Sequence, residues 1–364
     1  MSSSDLPSFA SRPPVSDPLR RYGWDSAWDE TFTDLLDSAP GSAPGRVIRV
    51  DRGQCELVTA AGVRRAEIHH RDEVCTGDWV AVADAAVVAV LPRRSALVRA
   101  VASGRSQGQV LAANVDLVAV VVSCAVEPDL SRVERLLALA WESGARPLVV
   151  LTKADACADA AFLRADVAAV ALGVETVLTS ATTGAGLPEL AAALSGTVVL
   201  VGPSGVGKST LATALTGVDL AVDAVRDQDG KGRHTTVRRE LIPLASGAGV
   251  LIDTPGLRGV GLWDAEEGLS LAFADIDALA EACRFGDCAH DTEPGCAVRA
   301  AIEAGALPAR RLESYRKLIR ENEWAAARTD ARLRAERRAR WKVMEKAVRQ
   351  DRKRERPGHP RHGG

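Results

Sequence analysis

Apolar and polar positions follow two different rhythms along this chain. Between residues 46 and 93, short β-prone runs at 46–50, 55–59, 64–68, 79–83 and 86–91 are separated by turn residues such as Asp51-Arg52-Gly53 and Thr76-Gly77-Asp78. That close spacing predicts a small β-barrel such as an OB-fold, and other five-stranded barrels share the pattern. From 110 to 270, strands and helices alternate. Residues 117–122 are a continuous apolar run, suited to a strand covered on both faces. Residues 130–142 carry apolar side chains at helical spacing. Strands are expected at 147–151, 176–178 and 197–201, and helices at 158–172 and 187–194. The pattern is that of an α/β unit with a mostly parallel sheet. Residues 275–364 read as helical apart from a Cys/His cluster. The fold class is therefore α/β, flanked by an N-terminal β-barrel and a C-terminal helical domain. The expected boundaries are a flexible arm over 1–45, the barrel over 46–95, the α/β domain over 96–274, the Cys/His domain over 275–330 and a tail over 331–364.

Charge changes this picture at one end. Residues 310–364 hold 19 Lys/Arg against 8 Asp/Glu, a net of +11, which leaves −13 on the rest of a chain whose formal charge is −2. An acidic body with a basic tail predicts a polyanion partner at the tail, although a charge run is also what a solvated face looks like. No stretch reaches the ~18 apolar residues of a membrane helix. The N-terminus is Ser- and Pro-rich rather than basic then apolar, which argues for a cytoplasmic protein with no membrane partner. The arm also carries an aromatic patch, Tyr22-Gly23-Trp24 and Trp28, that can dock on the body. In a reducing compartment, three of the seven cysteines clustered with a histidine favour metal over disulfides.

Gly202-Pro203-Ser204-Gly205-Val206-Gly207-Lys208-Ser209 matches the phosphate-loop pattern in full, with an apolar strand before it and a helix after it. Its glycines let backbone amides turn inward onto phosphate oxygens at a helix N-terminus. Lys208 is expected to reach the β- and γ-phosphates, and Ser209 to ligate Mg²⁺. Thr210 completes the nucleotide-binding set. Asp253-Thr254-Pro255-Gly256 follows the strand at 250–252. A carboxylate there, beside a phosphate loop, binds Mg²⁺, and the Gly256 amide can contact the γ-phosphate; alone, the motif reads equally as an Asp-initiated turn.

Thr152-Lys153-Ala154-Asp155 follows the strand at 147–151. It is similar to the guanine-specificity motif of GTPases, and a carboxylate at 155 can accept from guanine N1–H and its 2-amino group. Adenine offers no such donor pair. The Lys153 stem would lie along the base. Ser180 and Ala181 end the next strand, where a backbone amide can reach guanine O6. A Lys-x-Asp after a strand is also a common helix cap; together with the phosphate loop, the set predicts GTP/GDP. Thr152 stands where many GTPases carry Asn. An Asn there braces the phosphate loop, so Thr152 is expected to loosen nucleotide affinity. The base motifs also precede the phosphate loop, the reverse of the ordinary order, so the domain is circularly permuted. Close domain termini allow this.

Cys283-x₄-Cys288-x-His290-x₅-Cys296 is a four-ligand set of the kind that holds one structural Zn²⁺. The alternative is three buried cysteines and an incidental histidine.

Ala112-Ala113-Asn114-Val115-Asp116, the phosphate loop, Gly232-Arg233-His234-Thr235-Thr236, Asp253-Thr254-Pro255-Gly256 and the Cys/His cluster occur in that order. The chain thereby resembles the ribosome small-subunit-dependent GTPase A (RsgA) family, circularly permuted GTPases of bacterial 30S maturation, over about residues 46–325. The resemblance implies a Mg²⁺-dependent GTPase stimulated by the 30S subunit, contacts with 16S rRNA, and a monomer. It implies that Thr236 closes over Mg²⁺ in the GTP state. The position after Gly256 is Leu257, which cannot orient water as the Gln of many GTPases does. His234 is the leading substitute by its chemistry and by the resemblance; a phosphate- or RNA-contacting role for it is the alternative. Two other readings remain at this level: an ATP-dependent P-loop enzyme, disfavoured by Asp155, and a module that uses nucleotide only structurally, disfavoured by Lys208, Ser209 and Asp253.

Overall fold

The computed structural model describes residues 17–69, 73–99, 109–219, 239–253 and 265–329. The chain divides into two compact units, Met1–Leu97 with Val110–Gly259, and Val98–Gln109 with Val260–Gly364.

In the first unit, strands β1 (Ala43–Asp51), β2 (Gln54–Thr59), β3 (Gly62–Glu67), β4 (Trp79–Ala83) and β5 (Ala86–Val90) run in the order β1-β2-β3-β5-β4 and close through β1–β4 pairing. This is the expected barrel, in OB-fold order. Val47, Leu57, Val80 and Val87 fill it. A register shift between Val47 and Arg49 marks a bulge in β1. Bulges bend a strand and re-aim its edge, and beyond this one Arg49 pairs with Glu240 of a strand outside the barrel.

Strands β6 (Ala96–Arg99) and β7 (Gln109–Ala113) form a separate ribbon. The α/β part follows with β8 (Leu117–Ser123), α3 (Leu130–Glu142), β9 (Arg146–Thr152), α4 (Ala160–Ala168), β10 (Thr176–Leu178), α5 (Leu187–Ala193), β11 (Gly196–Val201), α6 (Lys208–Thr216), β12 (Glu240–Pro243) and β13 (Gly249–Asp253). The sheet order β10-β9-β8-β11-β13-β12 continues into β1. All but β12 are parallel to their neighbours within this part. Every residue of β8 is buried, as a strand covered by helices on both faces requires. The C-terminal ends of the parallel strands therefore meet along one edge.

Residues 17–45 correct one expectation. The flexible arm holds helices α1 (Asp17–Arg21) and α2 (Ser26–Leu35) in its described part. Asp25 caps α2 by accepting from the Trp28 amide at 2.8 Å. Trp24 and Trp28 are buried against Trp79 of the barrel, with ring centroids 4.7 and 6.0 Å away. Ordering this segment costs conformational entropy, and burial of two indoles offsets it. On the barrel side, Arg46 is 2% exposed. It lies 4.7 Å over the Trp79 ring and donates to Thr197 Oγ1 at 2.9 Å, joining barrel to sheet.

The Asn114-Val115-Asp116 run is a second joint. Asn114 donates to the Gly77 carbonyl at 3.0 Å and accepts from the Arg94 amide at 3.0 Å. Asp116 accepts from the Thr197 amide at 2.6 Å. At Gly77 the backbone has φ +95, and a Cβ there would collide with the Ala113 carbonyl. Glycine is needed for both reasons.

In the second unit, the described helices are α7 (Glu266–Ala272), α8 (Ala274–Ala280), α9 (Ala297–Glu303) and α10 (Ala309–Thr329). The expected boundary at residue 275 lies too late. Arg311, 1% exposed, donates to the Ala272 carbonyl at 2.8 Å and grips Asp275 at 2.6 and 2.8 Å. The Ala265 amide donates to Asn322 at 2.9 Å. These buried bonds tie α7 to the helices after it. The tail over 331–364 lies outside the described residues. Among the described residues, no helix is long and apolar enough to cross a membrane.

Trp79→Ala is expected to destabilise the first unit by about 3–5 kcal/mol and to release α1. Limited trypsin digestion checks this: cleavage after Arg20 and Arg21 should accelerate sharply in the variant, and unchanged cutting would contradict the packing described.

Candidate nucleotide and metal sites

Four strand ends build the first site. Ser123 and Thr152 are in register at the ends of β8 and β9, and Leu178 of β10 lies opposite Leu151. The phosphate loop leaves β11 at Val201. Gly202, Gly205 and Gly207 all have positive φ, at 152, 82 and 98. A Cβ at Gly202 would meet the Val121 carbonyl. The motif glycines are thus dictated by backbone shape. Helix α6 starts at Lys208, with Ser209 and Thr210 exposed in its first turn beside the loop. The Lys208 ammonium donates to the Gly202 and Pro203 carbonyls at 2.8 and 2.7 Å. It thus lies against the start of the loop that continues through Ser204, Gly205 and Val206. Such a cradle of amides and one ammonium accepts phosphate oxygens.

The base motif folds directly onto that loop. Thr152 Oγ1, buried, lies 2.5 Å from the Val206 carbonyl and 3.2 Å from that of Val122. Lys153, at φ 56, donates to the Gly205 carbonyl at 2.7 Å. The threonine hydroxyl thus contacts the phosphate loop at the position where many GTPases carry Asn. Asp155 sits exposed in a 3-10 turn over Ala154–Ala156. Among the described residues its carboxylate makes no hydrogen bond or ion pair. The Ala154 amide donates to the Thr179 carbonyl, which sets this turn beside the end of β10. Ser180 is buried, and its amide is committed to the Ala185 carbonyl at 2.9 Å. The Ala181 and Thr182 amides that follow make no hydrogen bond among the described residues, and Ala181 is the nearer to the strand end.

On the other side of the loop, Asp253 ends β13 beside β11. Burial raises its carboxyl above the usual range; Lys208 draws it down and Glu240 pushes it up. A half-buried carboxylate so placed gains from a cation, and with the Ser209 hydroxyl it is a donor set that suits Mg²⁺. Thr236, His234 and Gly256 lie outside the described residues. Glu240, the first residue of β12, was not singled out from the sequence. Its only signal is a four-residue apolar-ended run too short to read as a strand.

The second site lies in the second unit. One ligand atom from each of Cys283, Cys288, His290 and Cys296 lies within 4.8 Å of the others. Cys283 and Cys296 sulfurs are 3.9 Å apart and stand 3.6 and 3.5 Å from His290 Nδ1. A tetrahedron with Zn–S bonds of ~2.3 Å has edges of about 3.8 Å, so the spacing fits. The Ala297 and Arg299 amides donate to the Cys283 and Cys296 sulfurs at 3.3 and 3.4 Å. Burial pushes the Cys283 thiol up, but the Ala297 and Val298 amides outweigh it and leave it below the usual range. Burial also lowers the His290 pKa, which favours the neutral, ligating ring. Glu293 accepts from the Ala289, Asp291 and Thr292 amides and shapes the loop.

With this geometry in place, the likeness to known proteins is informative. Residues 90–263 match the RsgA GTPase family. The small ribosomal subunit biogenesis GTPase RsgA of Streptomyces avermitilis is 58% identical over 358 residues, covering 94% of this chain and 95% of that one. The crystal structure of YjeQ from Thermotoga maritima aligns at a TM-score of 0.58 and 24% identity, covering 77% of this chain and 98% of that one. That of YloQ, a circularly permuted GTPase, aligns at 0.55 and 24%, covering 78% and 95%. At that identity the two structures speak for the fold, which includes the permuted strand order found here. High identity across nearly the whole of both chains is what carries the assignment: this chain belongs to the RsgA GTPase family.

Proposed function

We propose that this chain hydrolyses GTP while assisting late maturation of the 30S ribosomal subunit, and that the subunit stimulates its turnover. One observation carries the nucleotide half. Thr152 and Lys153 of the base motif hold the carbonyls of Val206 and Gly205 in the phosphate loop, so the base end and the phosphate end belong to one site. The subunit half rests on the Streptomyces avermitilis relative, named as a small ribosomal subunit biogenesis GTPase, and on the excess of cations at the C-terminus. Such a tail favours 16S rRNA phosphates. We read the protein as a cytoplasmic monomer.

The residue roles follow from chemistry. Asp155 accepts from guanine N1–H and the 2-amino group, the Ala181 amide donates to O6, and the Lys153 stem covers the base. Lys208 leaves the loop carbonyls for the β- and γ-phosphates. Ser209, Asp253 and Thr236 would hold Mg²⁺, which neutralises charge developing on the phosphates. The Gly256 amide meets the γ-phosphate. His234 orients the attacking water in place of the missing Gln. Zn²⁺ on Cys283, Cys288, His290 and Cys296 has no open position and is structural.

The reading is tested by GTP turnover with isolated 30S, 50S and 70S particles. Stimulation by 30S alone is expected, and equal response to all three would contradict it. His234→Ala should lose at least about 100-fold of the stimulated kcat, with GDP affinity kept; stimulated turnover at the wild-type rate would remove His234 from this role. Asp155→Asn should weaken GTP binding by about 100-fold or more and favour xanthosine triphosphate, since an amide offers donors where the carboxylate accepted. A competition assay reads this directly. Metal analysis should find one Zn per chain. Lowering the pH should release it as the thiolates and imidazole protonate, with loss of ellipticity from the second unit. A chain fully folded after chelation would contradict the structural role.

A further inference from the structure

Strand β12 lies between the barrel and the metal side of the nucleotide site. Its first residue, Glu240, is paired on both flanks: opposite Arg49 of β1 and opposite Asp253 of β13. Directly opposed residues of antiparallel strands share a face, with Cβ atoms ~4.5–5.5 Å apart. Glu240 therefore presents a carboxylate beside that of Asp253. Its charge is felt at Asp253 and at Tyr22 of the arm.

Two like charges at opposed positions destabilise a sheet, so the pair needs a reason. Arg49 does not supply one. Its guanidinium is engaged by Asp51 at 3.2 Å and by Glu56 at 3.6 Å. Glu240 is exposed, and among the described residues its carboxylate makes no ion pair or hydrogen bond. The Lys208 ammonium, held by two loop carbonyls, acts on the Asp253 carboxyl and draws it down, but Glu240 has no cation of its own among the described residues. What would relieve the repulsion is a cation at the Asp253 carboxylate, where the reading above puts Mg²⁺.

We propose that Glu240 is a positioning residue of the metal side: it stands outside the direct ligands and holds hydrated Mg²⁺ against Asp253 through its charge. The barrel fixes its place. Arg49 pairs with Glu240 in the strand ladder, and Thr76 Oγ1 lies 3.4 Å from the Arg239 carbonyl just before it. The barrel thus reaches the residue that stands beside Asp253. The inference rests on the Mg²⁺-dependent GTPase reading.

The test is release of a fluorescent GDP analogue from the full chain over a Mg²⁺ titration. In Glu240→Gln the Mg²⁺ concentration at half-retention should rise roughly three- to ten-fold. The release rate in excess chelator should match wild type. The difference should shrink toward none at about 0.5 M KCl, because the carboxylate is exposed. Glu240→Asp should recover most of the shift. Without Mg²⁺, Glu240→Gln should melt no lower than wild type, since a repulsion has been removed; a purely structural glutamate would instead lower it. A half-retention concentration within two-fold of wild type, with normal GTP turnover, overturns the role of Glu240 and leaves the GTPase reading intact. Failure of wild type to retain the analogue in a Mg²⁺-dependent way overturns both.

Discussion

The site depends on one short contact, the Thr152 hydroxyl against the Val206 carbonyl. With the Lys153 ammonium on the Gly205 carbonyl, it fixes two successive carbonyls of the phosphate loop. It also sets the distance between the turn that carries Asp155 and the loop that carries Lys208. Chain order is irrelevant to such a contact, because parallel strands put every C-terminal end on one edge whichever comes first. Permutation therefore moves the chain ends without moving the site. Its consequence is that, in sequence, the strand ending in Asp253 is followed by the second unit instead of by the base motifs.

The barrel is joined to this site rather than tethered beside it. A bulge in β1 swings Arg49 onto β12, and the buried Arg46 reaches Thr197 at the base of the strand that leads to the phosphate loop. A buried guanidinium is costly unless its surroundings compensate. Here the Trp79 face, the Thr197 hydroxyl and the Asn114 carbonyl do so in part, Nε being left without a partner, and the arm closes over them with Trp24 and Trp28. Arm, barrel and sheet thus share one set of buried contacts.

Much of this was legible in the residues, for identifiable reasons. The all-apolar β8 run, the three-glycine loop and the four-ligand spacing each encode a backbone or coordination requirement locally. The barrel strands were legible from turn spacing, and α3 from helical periodicity. The arm was not: Ser, Pro and Asp dominate its composition, and its helices of five and ten residues are held by indole burial, a tertiary effect. Strand β12 was missed because four residues carry no period, and its pairing with β1 is long-range. The start of the second unit was placed too late because Arg311, which secures the Ala272 carbonyl, lies far along the chain. The contact of Thr152 with the loop was not legible either, because it joins residues 54 positions apart in sequence. His234, Thr236 and Gly256 fall outside the described residues, and for them the motif alone speaks.

The measurement that bears most directly on a single composite site is a crystal structure of the full chain with GDP and Mg²⁺. The account predicts both phosphates over the start of α6, the base between the Lys153 stem and Ala181, and the Asp155 carboxylate within hydrogen-bonding distance of N1 and the 2-amino group. Phosphates on the loop with the guanine lodged elsewhere, out of reach of Asp155, would contradict it.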